Sequence, residues 1–170
     1  IIAWQQALLR RHGPTSLLLT RQSVPGFQRE ETALNQIEKG AYVLQDCEGV
    51  PELLLISSGS EVALCMEAAK ELNDKGHRVR VVSMPCMEKF KAEELSYQEK
   101  VLPKAVHARI AVEAGHPMSW YPWVGDKGKV LGIETFGWSA PAKDVYQDLG
   151  ITKENILALS KELLGEPSMA

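Results

Sequence analysis

Apolar positions along this chain alternate between two rhythms. Continuous or near-continuous runs appear at Ala41-Tyr42-Val43-Leu44, Leu53-Leu54-Leu55-Ile56, Arg78-Val79-Arg80-Val81-Val82-Ser83, Ala108-Arg109-Ile110-Ala111-Val112-Glu113 and Lys129-Val130-Leu131-Gly132-Ile133. Runs of this length bounded by turn residues read as strands, and runs with little alternation read as strands covered on both faces. Between the second and third run, Val62, Cys65, Met66, Ala69 and Leu72 recur at helical spacing, which predicts an amphipathic helix over 60–73. Gly76 ends it, and Pro85 stops the strand that follows. Residues 91–97 are weakly helical, and 119–124 and 141–148 read as short helices. A last helix spans 153–164, with Thr152 as its cap and Ile156, Leu159 and Leu163 turned inward.

Strands alternating with helices predict an α/β three-layer sandwich with a mostly parallel, about five-stranded mixed sheet. The short link between the runs at 41–44 and 53–56 permits a hairpin, so one edge strand is expected to be antiparallel. Upstream the pattern is thinner. Residues 1–12 place Trp4, Ala7, Leu8 and Arg11 on one helical face, closed by Gly13-Pro14, and an apolar run over 16–20 reads as a strand. Residues 21–40 lose that periodicity and carry Pro25, Gly26 and the run Arg29-Glu30-Glu31. The expected division is therefore an incomplete unit over 1–22, a linker over 23–40 and a domain over 41–170.

Composition narrows the picture without naming a chemistry. A hydrophobic content of 45% and a charged content of 24% over 170 residues are ordinary for a folded domain with a real core. The net charge of -3, with no basic cluster longer than Arg10-Arg11, argues against nucleic acid as the partner. No run approaches the roughly eighteen apolar residues that a membrane helix needs. The start lacks a basic signal-type region and an initiator methionine, and reads as a chain entered partway. Cys47, Cys65 and Cys86 are an odd number without metal-type spacing, which disfavours a disulfide framework and suits a reducing, cytoplasmic setting. Cys65 falls on the apolar stripe of its helix and reads as a small core residue.

Three groups of residues are candidates for chemistry. In Leu17-Leu18-Leu19-Thr20-Arg21-Gln22, a buried-type strand delivers Arg21 into a loop, and a guanidinium there is suited to grip a phosphate. Spacing alone favours the plainer reading, a surface pair with Glu30 or Glu31. Ser57-Ser58-Gly59-Ser60-Glu61 joins a strand to a helix, where the free N–H groups around Ser58, Gly59 and Ser60 are a candidate anion-binding loop. Ser58 and Glu61 also have capping-box spacing, which needs no ligand and is the favoured reading. His107, Glu113 and His116 are of metal-ligating type, but an extended strand puts His107 roughly 20 Å from Glu113. One ion cannot gather them. His116 is then a loop residue in solvent or a polar group at a cleft. Trp120, Tyr121, Trp123, Phe136 and Trp138 concentrate the aromatic residues, either as core or as a subunit interface. No triad, acid pair or Cys/His dyad has a local signature.

The order of motifs is more specific than any one of them. Pro14-Thr15, Leu19-Thr20-Arg21-Gln22, Gly40-Ala41-Tyr42-Val43-Leu44 and Ser58-Gly59-Ser60-Glu61-Val62 are followed by Arg80-Val81-Val82-Ser83-Met84-Pro85 and Val101-Leu102-Pro103. Val112-Glu113-Ala114-Gly115 and Thr135-Phe136-Gly137-Trp138-Ser139-Ala140-Pro141-Ala142 complete the series. Taken together it resembles the C-terminal third of bacterial-type transketolases. The resemblance implies a thiamine diphosphate enzyme with a divalent cation (Mg or Ca) that moves a two-carbon ketol unit between sugar phosphates, as a homodimer in the cytoplasmic pentose phosphate pathway. It implies that residues 1–22 are the end of the pyrimidine-binding domain and 41–170 the C-terminal domain. The cofactor's Gly-Asp-Gly…Asn motif and activating glutamate belong to parts of the family's fold absent from this sequence, so the segment alone should be inactive. Arg21 matches the arginine of the family's Ser-Arg-Gln, which contacts substrate phosphate, with Thr20 in place of serine. His12, His77, His107 and His116 match none of the family's catalytic histidines. Dihydroxyacetone synthase is similar, and a non-catalytic dimerisation or ligand-binding domain of such an enzyme is the alternative.

Overall fold

A computed structural model of the chain describes residues 1–29 and 31–165, with Thr32 described by its backbone alone. Five strands form one sheet: β1 (Tyr42–Gln45), β2 (Leu53–Ser57), β3 (Val79–Ser83), β4 (Arg109–Val112) and β5 (Lys129–Leu131). Their spatial order is β1-β3-β2-β4-β5. β2 runs parallel to β3 and β4, and β4 parallel to β5. β1 is the antiparallel edge, but it pairs with β3 rather than β2, so the expected hairpin does not form. The loop over 46–52 carries the chain past β3 instead. Its anchor is Glu52, whose backbone N–H donates to Arg78 O at 2.8 Å and whose side chain pairs with the Arg78 guanidinium at 2.9 Å. A bulge between Val43 and Gln45 interrupts the edge ladder, a common device at an exposed edge.

Alternation along the central strands builds two cores. Leu53, Leu55, Val79, Val81, Ile110 and Val112 face α3 (Val62–Asp74) and α8 (Lys153–Leu164), where they meet Cys65, Ala69, Leu72 and Ile156. Leu54, Ile56, Val82 and Ala111 face the other way. There they pack against Phe90 of α4 (Met87–Ala92), Val101 of α5 (Leu95–Val101) and Val124 of α6 (Tyr121–Val124). Each such aliphatic side chain, once fully buried, contributes about 1.5–3 kcal/mol. The three layers are the α/β sandwich that the strand–helix alternation predicts. The weak helical signal over 91–97 resolves into α4 and α5, interrupted at Glu93 and Glu94, whose backbones are extended or outside the helical range.

The upstream part departs further from expectation. α1 (Ile2–Leu9) stops short of Gly13, buries no residue and leaves Trp4 and Leu8 exposed. Residues 16–20 form no strand, and Leu18 is 91% exposed. A parallel-type strand needs ladder partners for its N–H and C=O groups, and the sheet offers none near this run. The stretch over 23–40 is less bare than its composition implies. It carries α2 (Glu31–Leu34) and a 3-10 turn over Ile37–Lys39, and Arg29 Nε donates to the Tyr42 hydroxyl at 3.0 Å. Gly40 closes that turn with φ 87°. A Cβ there would meet Phe90 N at 2.6 Å and Lys89 Cβ at 2.8 Å, so only glycine fits.

Candidate functional site

Parallel β2 and β4 end in register, with Ser57 opposite Val112. The loops that follow them therefore leave the sheet side by side at its carboxyl edge, where parallel folds gather polar groups. Ser58 Oγ consequently reaches Glu113 Oε2 and donates to it at 3.1 Å. Glu61, three residues further on, begins the turn into α3 and is only 3% exposed. A buried carboxylate needs donors. It receives two, from Ser60 Oγ at 2.8 Å and from the hydroxyl of Tyr146 on α7 (Ala142–Asp148).

Tyr146 extends this network outward. Its pKa is raised, first by burial and then by its hydrogen bond to Glu61, so the phenol keeps its proton and donates to the carboxylate. Its oxygen accepts from Gln22 Nε2 at 3.0 Å. The direction of the chain is fixed by chemistry: amide N–H to phenol oxygen, phenol O–H to carboxylate. Gln22 is held at its backbone as well, where its N–H donates to Thr20 Oγ1 at 3.1 Å. Thr20 thus uses the hydroxyl it shares with serine to shape the loop around Arg21.

Glu113 sits beside this network. Its pKa is raised, chiefly by burial and next by the charge of Glu61, while hydrogen bonds from Ser58 and the Trp120 indole pull it down. Trp120 is itself 1% exposed, so it belongs to the core and spends its N–H on this carboxyl.

Arg21 is exposed, and among the described residues no ion pair holds it. Glu31 does not pair with it, and Glu30, the other expected surface partner, lies outside the described residues, as do residues 166–170. The guanidinium is free to meet an anion. The Ser58-Gly59-Ser60 loop departs from the capping-box expectation. Ser58 makes no side-chain capping bond, so the expected capping box is absent. Both serine hydroxyls donate to carboxylates. An anion bound here would face Glu61 and Glu113, so the local charge opposes it. His116 accepts from Met118 N–H at 3.3 Å, which starts the 3-10 turn over Pro117–Trp120, and His107 is an exposed loop residue. Among the described residues no cluster of His, Cys, Asp or Glu could hold a metal ion. The aromatic residues divide. Trp120 and Trp123 join the core, with the Trp123 ring 5.2 Å from that of Phe90, whereas Tyr121, Phe136 and Trp138 are exposed. Cys65 is fully buried, and its thiol is pushed up to about 12, mainly by burial.

Sequence reasoning passed over Tyr146 and took Glu61 for a cap. One signal was available: a glutamate opening the helix after a central, all-apolar strand lands at the carboxyl edge of the sheet, where burial forces it to find donors.

Comparison with known proteins places these features in a family. Residues 40–152 match the family described as the transketolase-like TK C-terminal domain. Over 163 residues the chain is 48% identical to transketolase 2 of Aliivibrio fischeri, covering 96% of this chain and 25% of that protein. Among solved structures, a transketolase from Leishmania mexicana superposes with a TM-score of 0.87 at 37% identity, covering 96% of this chain and 23% of that one. A Pichia stipitis transketolase in complex with sedoheptulose-7-phosphate superposes with a TM-score of 0.84 at 27% identity, over 96% of this chain and 23% of that one. The chain spans about a quarter of the length of these relatives. With the mixed sheet, the Arg21 loop and nearly the whole length aligned, the chain belongs to the transketolase family and carries that family's C-terminal domain.

Proposed function

We propose that this chain is the C-terminal part of a thiamine diphosphate-dependent transketolase, which moves a two-carbon ketol unit from a ketose phosphate to an aldose phosphate in the pentose phosphate pathway. The observation that carries the reading is the 48% identity that extends through the Arg21 loop as well as the domain behind it. The Pichia stipitis relative's complex with a sugar phosphate supports substrates of that class. Arg21 is then the residue that meets the substrate phosphate, because it is exposed, permanently charged and unpaired among the described residues.

Thiamine diphosphate and its divalent cation do not fit the residues of this chain. The two carboxylates nearest the loop, Glu61 and Glu113, are engaged by Tyr146, Ser60, Ser58 and Trp120, and no metal-holding cluster forms among the described residues. Cofactor and metal belong to upstream domains, and the segment by itself is inactive. Residues 1–22 are the end of the preceding pyrimidine-binding domain, 23–40 a linker and 41–170 the C-terminal domain. Exposed Leu8, Leu9, Leu18 and Leu19 support this division, since they are the apolar side of a unit that continues into its own domain. The assembled enzyme is a cytoplasmic homodimer.

The test is ketol transfer by the full-length protein, with Arg21→Ala as the probe. A lost charge-assisted contact of this kind costs about 2–3 kcal/mol, roughly a 30- to 150-fold change, read as a higher KM for phosphorylated substrates. An unchanged KM for sugar phosphates would remove Arg21 from the site.

A further inference from the structure

The hydrogen-bond chain from Glu61 through Tyr146 to Gln22 joins two parts of the molecule that are 85 and 124 residues apart in sequence at its two links. Glu61 and Tyr146 lie in the C-terminal domain, whereas Gln22 is next to Arg21 in the segment before it. We infer that Tyr146 and Glu61 are positioning residues: the C-terminal domain holds the Thr20-Arg21-Gln22 loop from behind, so that the Arg21 guanidinium is presented to substrate phosphate in one orientation. The inference rests on the reading of Arg21 as the phosphate-binding residue.

Three features of the geometry make this a bracket rather than an incidental contact. First, its base is buried and hydrogen-bonded. Glu61 is buried between the end of β2 and α3, and its carboxylate takes both the Ser60 and Tyr146 hydroxyls. Second, each bond has a defined direction, so Tyr146 can serve Gln22 only as an acceptor while it donates to Glu61. Third, the loop has little else to hold it. Residues 16–20 make no sheet ladder, Arg21 and Gln22 are exposed, and among the described residues the other hydrogen bond of Gln22 is the local one from its N–H to Thr20. A free loop would spread Arg21 over many orientations, and each loss of preorganisation weakens a directional phosphate contact. The C-terminal domain thereby acts on substrate selection without touching substrate.

The test uses the full-length enzyme and compares a phosphorylated acceptor, ribose 5-phosphate, with an unphosphorylated one, glycolaldehyde. Tyr146→Phe removes one hydroxyl and should raise KM for ribose 5-phosphate about 5-fold, the factor expected for one hydrogen bond, with kcat and the KM for glycolaldehyde unchanged. Gln22→Ala, which cuts the same link from the other side without disturbing Glu61, should give the same split. In an Arg21→Ala background Tyr146→Phe should add nothing, because its effect passes through Arg21. Two results overturn the bracket while leaving Arg21 in place: a KM for ribose 5-phosphate that Tyr146→Phe and Gln22→Ala leave unchanged while Arg21→Ala raises it, or equal losses on both acceptors. If Arg21→Ala itself leaves that KM unchanged, the reading of Arg21 falls and the bracket falls with it.

Discussion

Arg80 offers the sharpest test of how this domain is held together. It lies on β3, is 8% exposed, and points into the core face opposite α3 and α8. Its Nε and Nη2 bind both oxygens of Asp46 at 2.8 and 3.0 Å, and its Nη1 donates to the carbonyls of Lys100 and Val101 at 2.7 and 3.2 Å. One guanidinium therefore ties the loop after β1 to the last turn of α5, where a cation also suits the helix dipole. The four bonds are not equal. The Asp46 side chain is 49% exposed and can return to water, so its share is discounted to about 1 kcal/mol or less. The Val101 bond is buried, and losing its donor leaves a carbonyl in an apolar setting at a cost of about 1–3 kcal/mol. Arg80→Ala should then destabilise by about 3 kcal/mol, and Asp46→Ala by no more than about 1 kcal/mol. Urea unfolding of the 170-residue chain, followed by circular dichroism, measures both. In thermal unfolding the larger loss corresponds to a drop of roughly 6–12 °C for a chain of this size. The ordering is the test. Equal losses from Arg80→Ala and Asp46→Ala would mean that the exposed ion pair carries the interaction, and the reasoning about the buried carbonyls would be wrong.

Two further outcomes follow from single residues. Gly40→Ala combines a left-handed backbone with contacts at 2.6 and 2.8 Å and should cost about 3 kcal/mol, whereas a variant within 1 kcal/mol of the parent in the same urea assay would show that α4 can move away from the turn. Glu113 has a raised pKa, so its protonated form contributes stability that is present below the ordinary value of 4.5 and lost as pH rises through the folded-state value. Glu113→Gln, which keeps an acceptor for Ser58 and removes the repulsion with Glu61, should flatten that fall. Melting temperatures across pH 4 to 7 should show the variant gaining on the parent as pH rises. A gap that stays constant with pH would refute the raised pKa of Glu113, which burial causes first and the charge of Glu61 second.

Where one side chain's pattern was enough, sequence reasoning located the structure. Leu53 to Ile56 and Val79 to Ser83 are continuous because the strands they form are buried on both faces, and the helix over 60–73 appears because one stripe alone is apolar. The failures share a physical cause, which is dependence on something outside the local window. The run over 16–20 has the composition of a strand, but a strand is a relationship, and among the described residues it finds no ladder partner. The antiparallel edge was legible, but its partner was not, because the loop over 46–52 could equally fold back on β2 or pass to β3. Ser58 and Glu61 have the spacing of a capping box, yet Ser58 finds Glu113 across the register of β2 and β4, and Glu61 finds Tyr146 some 85 residues away. Arg21 was singled out by its place at the end of an apolar run. The residues behind it were not, because nothing near Gln22 in sequence shows that a tyrosine on α7 will meet it.

The arrangement also explains why this domain is built with these polar atoms at one end. Every parallel strand of the sheet points its carboxyl end at the same edge, so β2 and β4 deliver Ser58 and Glu113 to one place, where Tyr146 of α7 meets Glu61. A carboxylate buried at that edge, Glu61, needs hydroxyl donors, and the donor that satisfies it still has an oxygen lone pair to offer outward. That outward acceptor is what Gln22 uses. The same desolvation that makes Glu61 costly to bury thus leaves a fixed acceptor at the surface for the preceding segment. Replacing Glu61 by an apolar residue would ease the burial and free the Tyr146 hydroxyl to rotate, so the cost of burying the charge is inseparable from the position of the loop that carries Arg21.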